Sequence, residues 1–305
     1  VHYHDSFFVG FLMDGILLLE KQKNTSHYRI QPLPVNSGVF CLKKDRFQDI
    51  VWIGTDGQGV YLYSNPLYSI KSVLLGNYTE KIERPVRALL QDDERTFWVG
   101  TKGNGILKIY DYEVDKNLSD CRAEVLTTSN SALGSNAVYC FARSHRNLLW
   151  IGEEEGLTYY SYREKRIKRL PVRIGNEEFK YIHDIYETAD SELWLASVGM
   201  GVVRARIAGT PDNPLIVDAQ RYIINDGELG SNYFFTIYAE NEANLLFGNK
   251  GYGVFRFNKT TNGLEPVSTH KYENMTLNNI LAISKDSSNN CLLYTSDAAD
   301  DLTRV

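Results

Sequence analysis

The sequence is poor in proline (8 of 305 residues), has only four cysteines and four tryptophans, and lacks any long apolar run. Its most apolar stretch, Gly15-Ile16-Leu17-Leu18-Leu19, falls far short of the roughly 18 residues that a membrane span needs and reads as a buried strand. There is no Lys/Arg block. The densest basic stretch, Lys165 to Arg169, reads as a solvated outer strand. With a net charge of −5, the chain offers no electrostatic footprint for a nucleic acid. Cys41, Cys121, Cys140 and Cys291 show no C-x-x-C spacing, so neither a zinc site nor a disulfide pairing follows from them. The six histidines are scattered, and His2 and His4 make at most a weak metal pair. No G-x-S-x-G or H-E-x-x-H motif occurs. The stretch Asp45 to Trp52 has the spacing of a sialidase-type Asp box but not its Ser, Gly and Thr. Gly57-Gln58-Gly59 and Gly251-Tyr252-Gly253 precede strand-like segments rather than helices, which excludes a dinucleotide loop. The acidic runs Asp92-Asp93-Glu94 and Glu153-Glu154-Glu155 read as solvent-facing turns. No catalytic constellation, metal site or cofactor is implied.

What is present is a repeat. The phrase Val51-Trp52-Ile53-Gly54-Thr55 returns as Phe97-Trp98-Val99-Gly100-Thr101, Leu149-Trp150-Ile151-Gly152, Leu193-Trp194-Leu195-Ala196 and Leu246-Phe247-Gly248, with a degenerate copy at Phe8-Val9-Gly10. The anchors Phe8, Trp52, Trp98, Trp150, Trp194 and Phe247 lie about 44 to 53 residues apart, a period that indicates a repeat architecture.

A second stretch precedes each phrase: Ser37 to Leu42, Arg84 to Leu89, Asn136 to Phe141, Lys180 to Ile185, Asn232 to Ile237 and Asn278 to Ile283. Its third column (Val39, Val86, Val138, Ile182, Phe234, Ile280) is apolar. The fifth (Cys41, Ala88, Cys140, Asp184, Thr236, Ala282) is small except for Asp184. The sixth is apolar again. Apolar residues on both faces describe a strand sandwiched between neighbouring sheets. A polar turn, the tryptophan strand, a Gly-rich turn, a third strand and a polar fourth strand complete each unit. Gly54, Gly100, Gly152 and Gly248 are expected to allow close packing. Gly59, Gly105, Gly156, Gly201 and Gly253 are expected to supply positive φ. Four short strands per repeat predict an all-β fold, a β-propeller with about six four-stranded blades, part of a seven-bladed ring. A solenoid would want a shorter repeat.

These copies, best preserved over Val39–Tyr63 and Val86–Tyr110, resemble the two-component regulator propeller repeat, whose consensus runs approximately N-x-I-x-x-I-x-x-D-x-x-G-x-L-W-I-G-T-x-x-G-G-L. Residues 1–290 carry the resemblance. Ala196 in place of glycine and Phe247 in place of tryptophan depart from it. The resemblance implies the periplasmic sensor part of a hybrid histidine kinase, with the kinase, membrane helix, second propeller and homodimer partner outside this chain. It implies glycan-derived oligosaccharides as input. The chain itself is expected not to be an enzyme and not to contact the membrane. It begins within a repeat, so the missing initiator Met and signal peptide indicate a lost N-terminus. A protein-binding scaffold and a polysaccharide lyase are the rival readings.

After Asn290 another tryptophan phrase is due and does not come. Cys291 to Asp300 resembles the translation of a transposase adapter used in DNA library preparation, so residues 291–305 are expected to be a non-native tail.

Recognition is expected where the copies differ. The fourth column of the inner strand reads Phe40, Arg87, Tyr139, His183, Phe235, Leu281, and the lead-in residues include Arg84, Asn136, Lys180, Tyr181, Asn232 and Tyr233. Inner strands line a propeller's channel, and aromatic walls with a few hydrogen-bonding groups make a ligand pocket. The candidate ligand-binding residues are therefore Arg84, Arg87, Asn136, Tyr139, Lys180, Tyr181, His183, Asn232 and Tyr233.

Overall fold

The structure is a computed structural model. It describes residues 1–13, 15–22, 27–64, 69–73, 84–92, 95–112, 121–224, 232–241, 244–267, 279–285 and 291–295. Among them every regular element is a strand. Six four-stranded antiparallel sheets follow one another along the chain, the blades of a β-propeller, each ordered as in the sequence. Their first, inner strands are His2–Tyr3, Val39–Lys44, Val86–Gln91, Val138–Arg143, Ile182–Glu187 and Phe234–Asn241, which number blades one to six. The tryptophan strands pair beside them: Ser6–Phe11, Ile50–Thr55, Phe97–Thr101, Leu148–Glu153, Glu192–Ser197 and Asn244–Asn249. The chain divides into two compact units. The first comprises residues 1–130 and 135–138 and holds blades one to three. The second comprises 131–134 and 139–305 and holds the rest.

The repeat phrase is explained by what each of its residues does. The tryptophan turns toward the following blade. Trp52 stacks on Phe97 at 3.8 Å and packs with Val86, Leu89 and Val99. Trp150 packs with Ile182, Ile185 and Leu195, and Trp194 with Phe234, Phe247 and Phe255. The glycine lies opposite the small fifth column: Gly54 pairs with Cys41 and Gly100 with Ala88. A Cβ on Gly152 would sit 2.4 Å from Cys140 Sγ and 2.7 Å from the Ile182 carbonyl of the next blade. The threonine closes the Gly-rich turn, as Thr55 and Thr101 hydroxyls donate to the Gly59 and Gly105 carbonyls at 2.7 and 2.9 Å. Gly105 adopts φ +75, and a side chain there would also strike the Leu126 carbonyl.

Register corrects one anchor. Ile53 pairs with Leu42, Val99 with Leu89 and Leu195 with Ile185; Phe247 pairs with Ile237 in that same position. The tryptophan column of blade six is therefore held by Leu246, opposite Tyr238 as Trp194 is opposite Tyr186. Leu246 points the way a tryptophan would, into a cluster with Ile280 and Ile283. Phe247 faces back onto Trp194, 5.7 Å between rings.

Past blade six, Ile280–Lys285 pairs with Cys291–Thr295. That residues 291–305 are foreign to the repeat stays a proposal. It is supported by register, since Tyr294 pairs with Ala282 where other blades place Gly or Ala. Residues 296–305 lie outside the described residues.

Close packing at the glycine column makes a direct prediction. Gly152→Ala should lower stability by about 1–3 kcal/mol, read as a shift of the urea unfolding midpoint. An unchanged midpoint would mean that the two blades do not meet at this distance.

Candidate functional site

The variable fourth column has a structural cause. In blade two Val39 pairs with Thr55 and Cys41 with Gly54, leaving Phe40 as an extra, unpaired residue. The same register shift leaves out Arg87, His183, Phe235 and Leu281 in the inner strands that follow. A β-bulge re-aims its side chain and frees it from the alternation that commits its neighbours to packing. This column can therefore vary without damaging a blade.

In the second unit the fourth-column residues touch one another, two of them, His183 and Phe235, at bulges. Tyr139 and His183 stack at 4.3 Å, and Phe235 meets His183 edge-on at 5.4 Å. His183 Nδ1–H donates to the Tyr181 carbonyl at 2.9 Å, which fixes the ring. Tyr181 is 42% exposed and holds φ +53, a left-handed conformation unusual for a bulky residue. Its carbonyl also accepts from Val198 N–H at 3.1 Å, while Val198 bridges to Tyr233 on its other side. The backbones of Tyr181 and Tyr233 thus flank one segment, about 10 Å apart across it.

The remaining candidates are engaged differently. Lys180 pairs with Glu155, and that contact raises the lysine pKa. Asn232 Oδ1 accepts from Ile224 N–H at 2.7 Å, and its carbonyl accepts from Gly199 and Gly201 N–H. In the first unit, Asn136 does the same for Thr128 N–H and for Gly103 and Gly105. In both asparagines the backbone carbonyl holds the Gly-rich turn, while the side chain is engaged by the segment that follows the outer strand. Arg87 lies over the Phe40 ring at 3.8 Å. Arg84 is exposed beside Gly103. Of the nine candidates, Tyr139, Tyr181, His183 and Tyr233 present aromatic surface in one unit. Phe235, a column member outside the original nine, joins them.

Three acids depart from expectation. Asp92 and Glu153 are buried rather than solvent-facing, Asp92 because it accepts the Trp98 indole N–H. Asp184, the exception in the small column, accepts from Ile185 N–H at 2.8 Å and from Ile237 N–H of blade six at 2.6 Å. It pairs with Ala196, the one blade where alanine replaces the glycine. Desolvation pushes its pKa up to about 6, partly offset by these backbone donors. The equivalent Cys140 thiol donates to the Ile182 carbonyl at 3.7 Å and is held well above its usual range by burial. Such thiols are inert.

No protein-family profile and no curated protein matches the chain. Among solved structures it is similar to an extracellular domain from B. thetaiotaomicron assigned to the hybrid two-component system BT3049, with TM-score 0.67 and 20% identity over 99% of this chain and 39% of that one. An extracellular domain assigned to the one-component system BT4673 of the same organism gives TM-score 0.66 and 17% identity, over 97% and 39%. The WD40 propeller domain of Doa1 gives TM-score 0.65 and 11% identity, over 97% and 88%. The chain thus spans about two fifths of these two extracellular domains.

Asp184 gives a pH dependence whose sign is fixed. Its folded pKa lies above the unfolded value of 3.8, so its favourable contribution is complete below about pH 4 and is lost as pH rises through about 6. Relative to Asp184→Asn, the wild type should gain at most about 3 kcal/mol between pH 7 and pH 4, at about 1.4 kcal/mol per pH unit. Paired urea titrations check it; a difference that stays flat with pH contradicts the assignment. At these identities the comparisons show a fold, and the fold is that of a β-propeller.

Proposed function

We propose that this chain is a ligand-sensing, non-catalytic propeller from the periplasmic part of a hybrid two-component sensor. It would take glycan-derived oligosaccharides and pass the signal to a histidine kinase elsewhere in the parent protein. The observation that carries the reading is the aromatic surface of Tyr139, His183 and Phe235, the last two at bulge positions, with Tyr181 exposed beside it. Aromatic faces suit sugar rings, and pairing leaves His183 and Phe235 free of the alternation that commits their neighbours to packing. The likeness to extracellular domains assigned to a hybrid two-component system and to a one-component system supports the sensor setting. A second propeller and a homodimer partner belong to that same reading. Signalling would follow if the ligand binds one arrangement of the dimer better than another.

The left-handed φ of Tyr181 separates binding from folding. Glycine accepts that conformation without strain. Tyr181→Gly should leave the unfolding midpoint unchanged or raise it, while weakening oligosaccharide affinity about tenfold, or about 1.4 kcal/mol. Calorimetry with a panel of neutral and charged oligosaccharides provides the affinity. If an oligosaccharide binds and Tyr181→Gly binds it equally well, the site is elsewhere; if none binds, the ligand class is wrong.

A further inference from the structure

The indole N–H groups form a series with one gap. Trp52 Nε1–H donates to Asp45 Oδ2 at 2.9 Å and Trp98 Nε1–H to Asp92 Oδ2 at 2.7 Å. Each of these aspartates closes the hairpin of its own blade, Asp45 N–H donating to the Ile50 carbonyl and Asp92 N–H to the Thr96 carbonyl. In blade four the same hairpin position is Ser144. There Trp150 Nε1–H donates instead to Glu187 Oε2, at 2.8 Å, from the end of the next inner strand. Glu187 is opposite Leu193 in register, as Gln91 is opposite Phe97. Gln91 likewise reaches back to the preceding blade, accepting from Arg46 N–H at 2.7 Å. Each of these three buried indoles thus has a carboxylate, supplied by one of two positions.

Trp194 has neither. Its own hairpin position is Thr188, whose hydroxyl is used on the backbone of Glu192. The position across the joint is Ala239, opposite Leu245. Among the described residues the Trp194 indole N–H meets no acceptor. A cleft opens at this point, lined by Thr188, Asp190, Trp194, Leu245, Phe257 and Lys259. Lys259 is exposed and meets no partner among the described residues. Glu192 and Arg204, also on the cleft, neutralise each other in an ion pair, which leaves exposed Asp190 and Lys259 as the other charged residues of the lining.

We propose that this cleft is a carboxylate subsite, in which a small carboxylate ligand takes the place that Asp45, Asp92 and Glu187 fill for the other indoles. The ligand's oxygen accepts from Trp194 Nε1–H, Lys259 supplies the counter-charge, and Leu245 and Phe257 bound it on the apolar side. The site lies at the far end of blade five's inner strand from Tyr181. It is therefore independent of the oligosaccharide reading.

The test is an amide and indole ¹⁵N correlation spectrum of the whole chain, with the Trp194 signal assigned through Trp194→Phe. Acetate and glucuronate, the latter carrying the acid on a sugar, are titrated against glucose as the neutral control. The Trp194 indole proton should move downfield with both acids and stay put with glucose. Asp190→Asn should tighten the binding and Lys259→Ala should weaken it several-fold. Ala239→Glu should place the Trp194 signal downfield without ligand and abolish the response to acid. If glucuronate acts and acetate does not, the sugar is read as well as the acid. An indole that ignores both acids, that responds equally to glucose, or that still titrates in Ala239→Glu overturns the proposal and leaves the cleft as a water site.

Discussion

The joint between consecutive blades imposes the constraint on which the rest of this structure depends. A tryptophan side chain must be covered by the next sheet, and its single polar atom must be given an acceptor in the same step. Burying an indole without that acceptor would forfeit much of what its area contributes. The chain meets the demand by two routes: a short acid in the hairpin of the same blade, or a longer one from the inner strand of the next. The second route makes the carboxylate itself part of the joint. Glu187 is buried, accepts from Trp150 and also receives His145 N–H of blade four. Glycine opposite a small residue then permits the distance at which these contacts form.

Function is written in what the joint leaves over. Where an inner strand carries a bulge, one residue leaves the packing pattern, and such residues can become a recognition surface without cost to the blades. The carboxylate series works the same way in reverse. Where both supplying positions fall to residues that cannot reach, at Thr188 and Ala239, an unfilled donor and a cleft appear together. In both cases departure from the repeat, rather than the repeat itself, marks a candidate site. Asp184 is a third departure. It crosses the joint between blades five and six by accepting the Ile237 N–H, and it brings with it a carboxyl that is costly to ionise.

Much of this was legible in the sequence because blade construction is local. Strand order, glycine roles and the apolar and small columns follow from residues a few positions apart. The fourth column was visible as variable, but its bulge was not, because a bulge is a property of pairing. Phe247 was misplaced by one residue because its aromatic character suggested the tryptophan column, whereas pairing gives that column to Leu246. Asn136 and Asn232 looked like ligand donors, yet they serve turns whose partners lie 8 residues back in sequence. The acceptor of Trp150 lies 37 residues on, beyond any local motif. A column comparison that asked what each indole donates to would have found both Glu187 and the gap at Trp194.

The measurement closest to the central claim is a double-mutant cycle on Trp150→Phe and Glu187→Leu, read as unfolding free energy in urea. If the indole–carboxylate bond is what couples blade four to blade five, the two substitutions should be non-additive by about 1.5–3 kcal/mol, the range for a hydrogen bond to a charged group. Additivity to within about 0.5 kcal/mol would contradict the account: the joint would then rest on apolar packing alone, and the missing acceptor at Trp194 would carry no meaning.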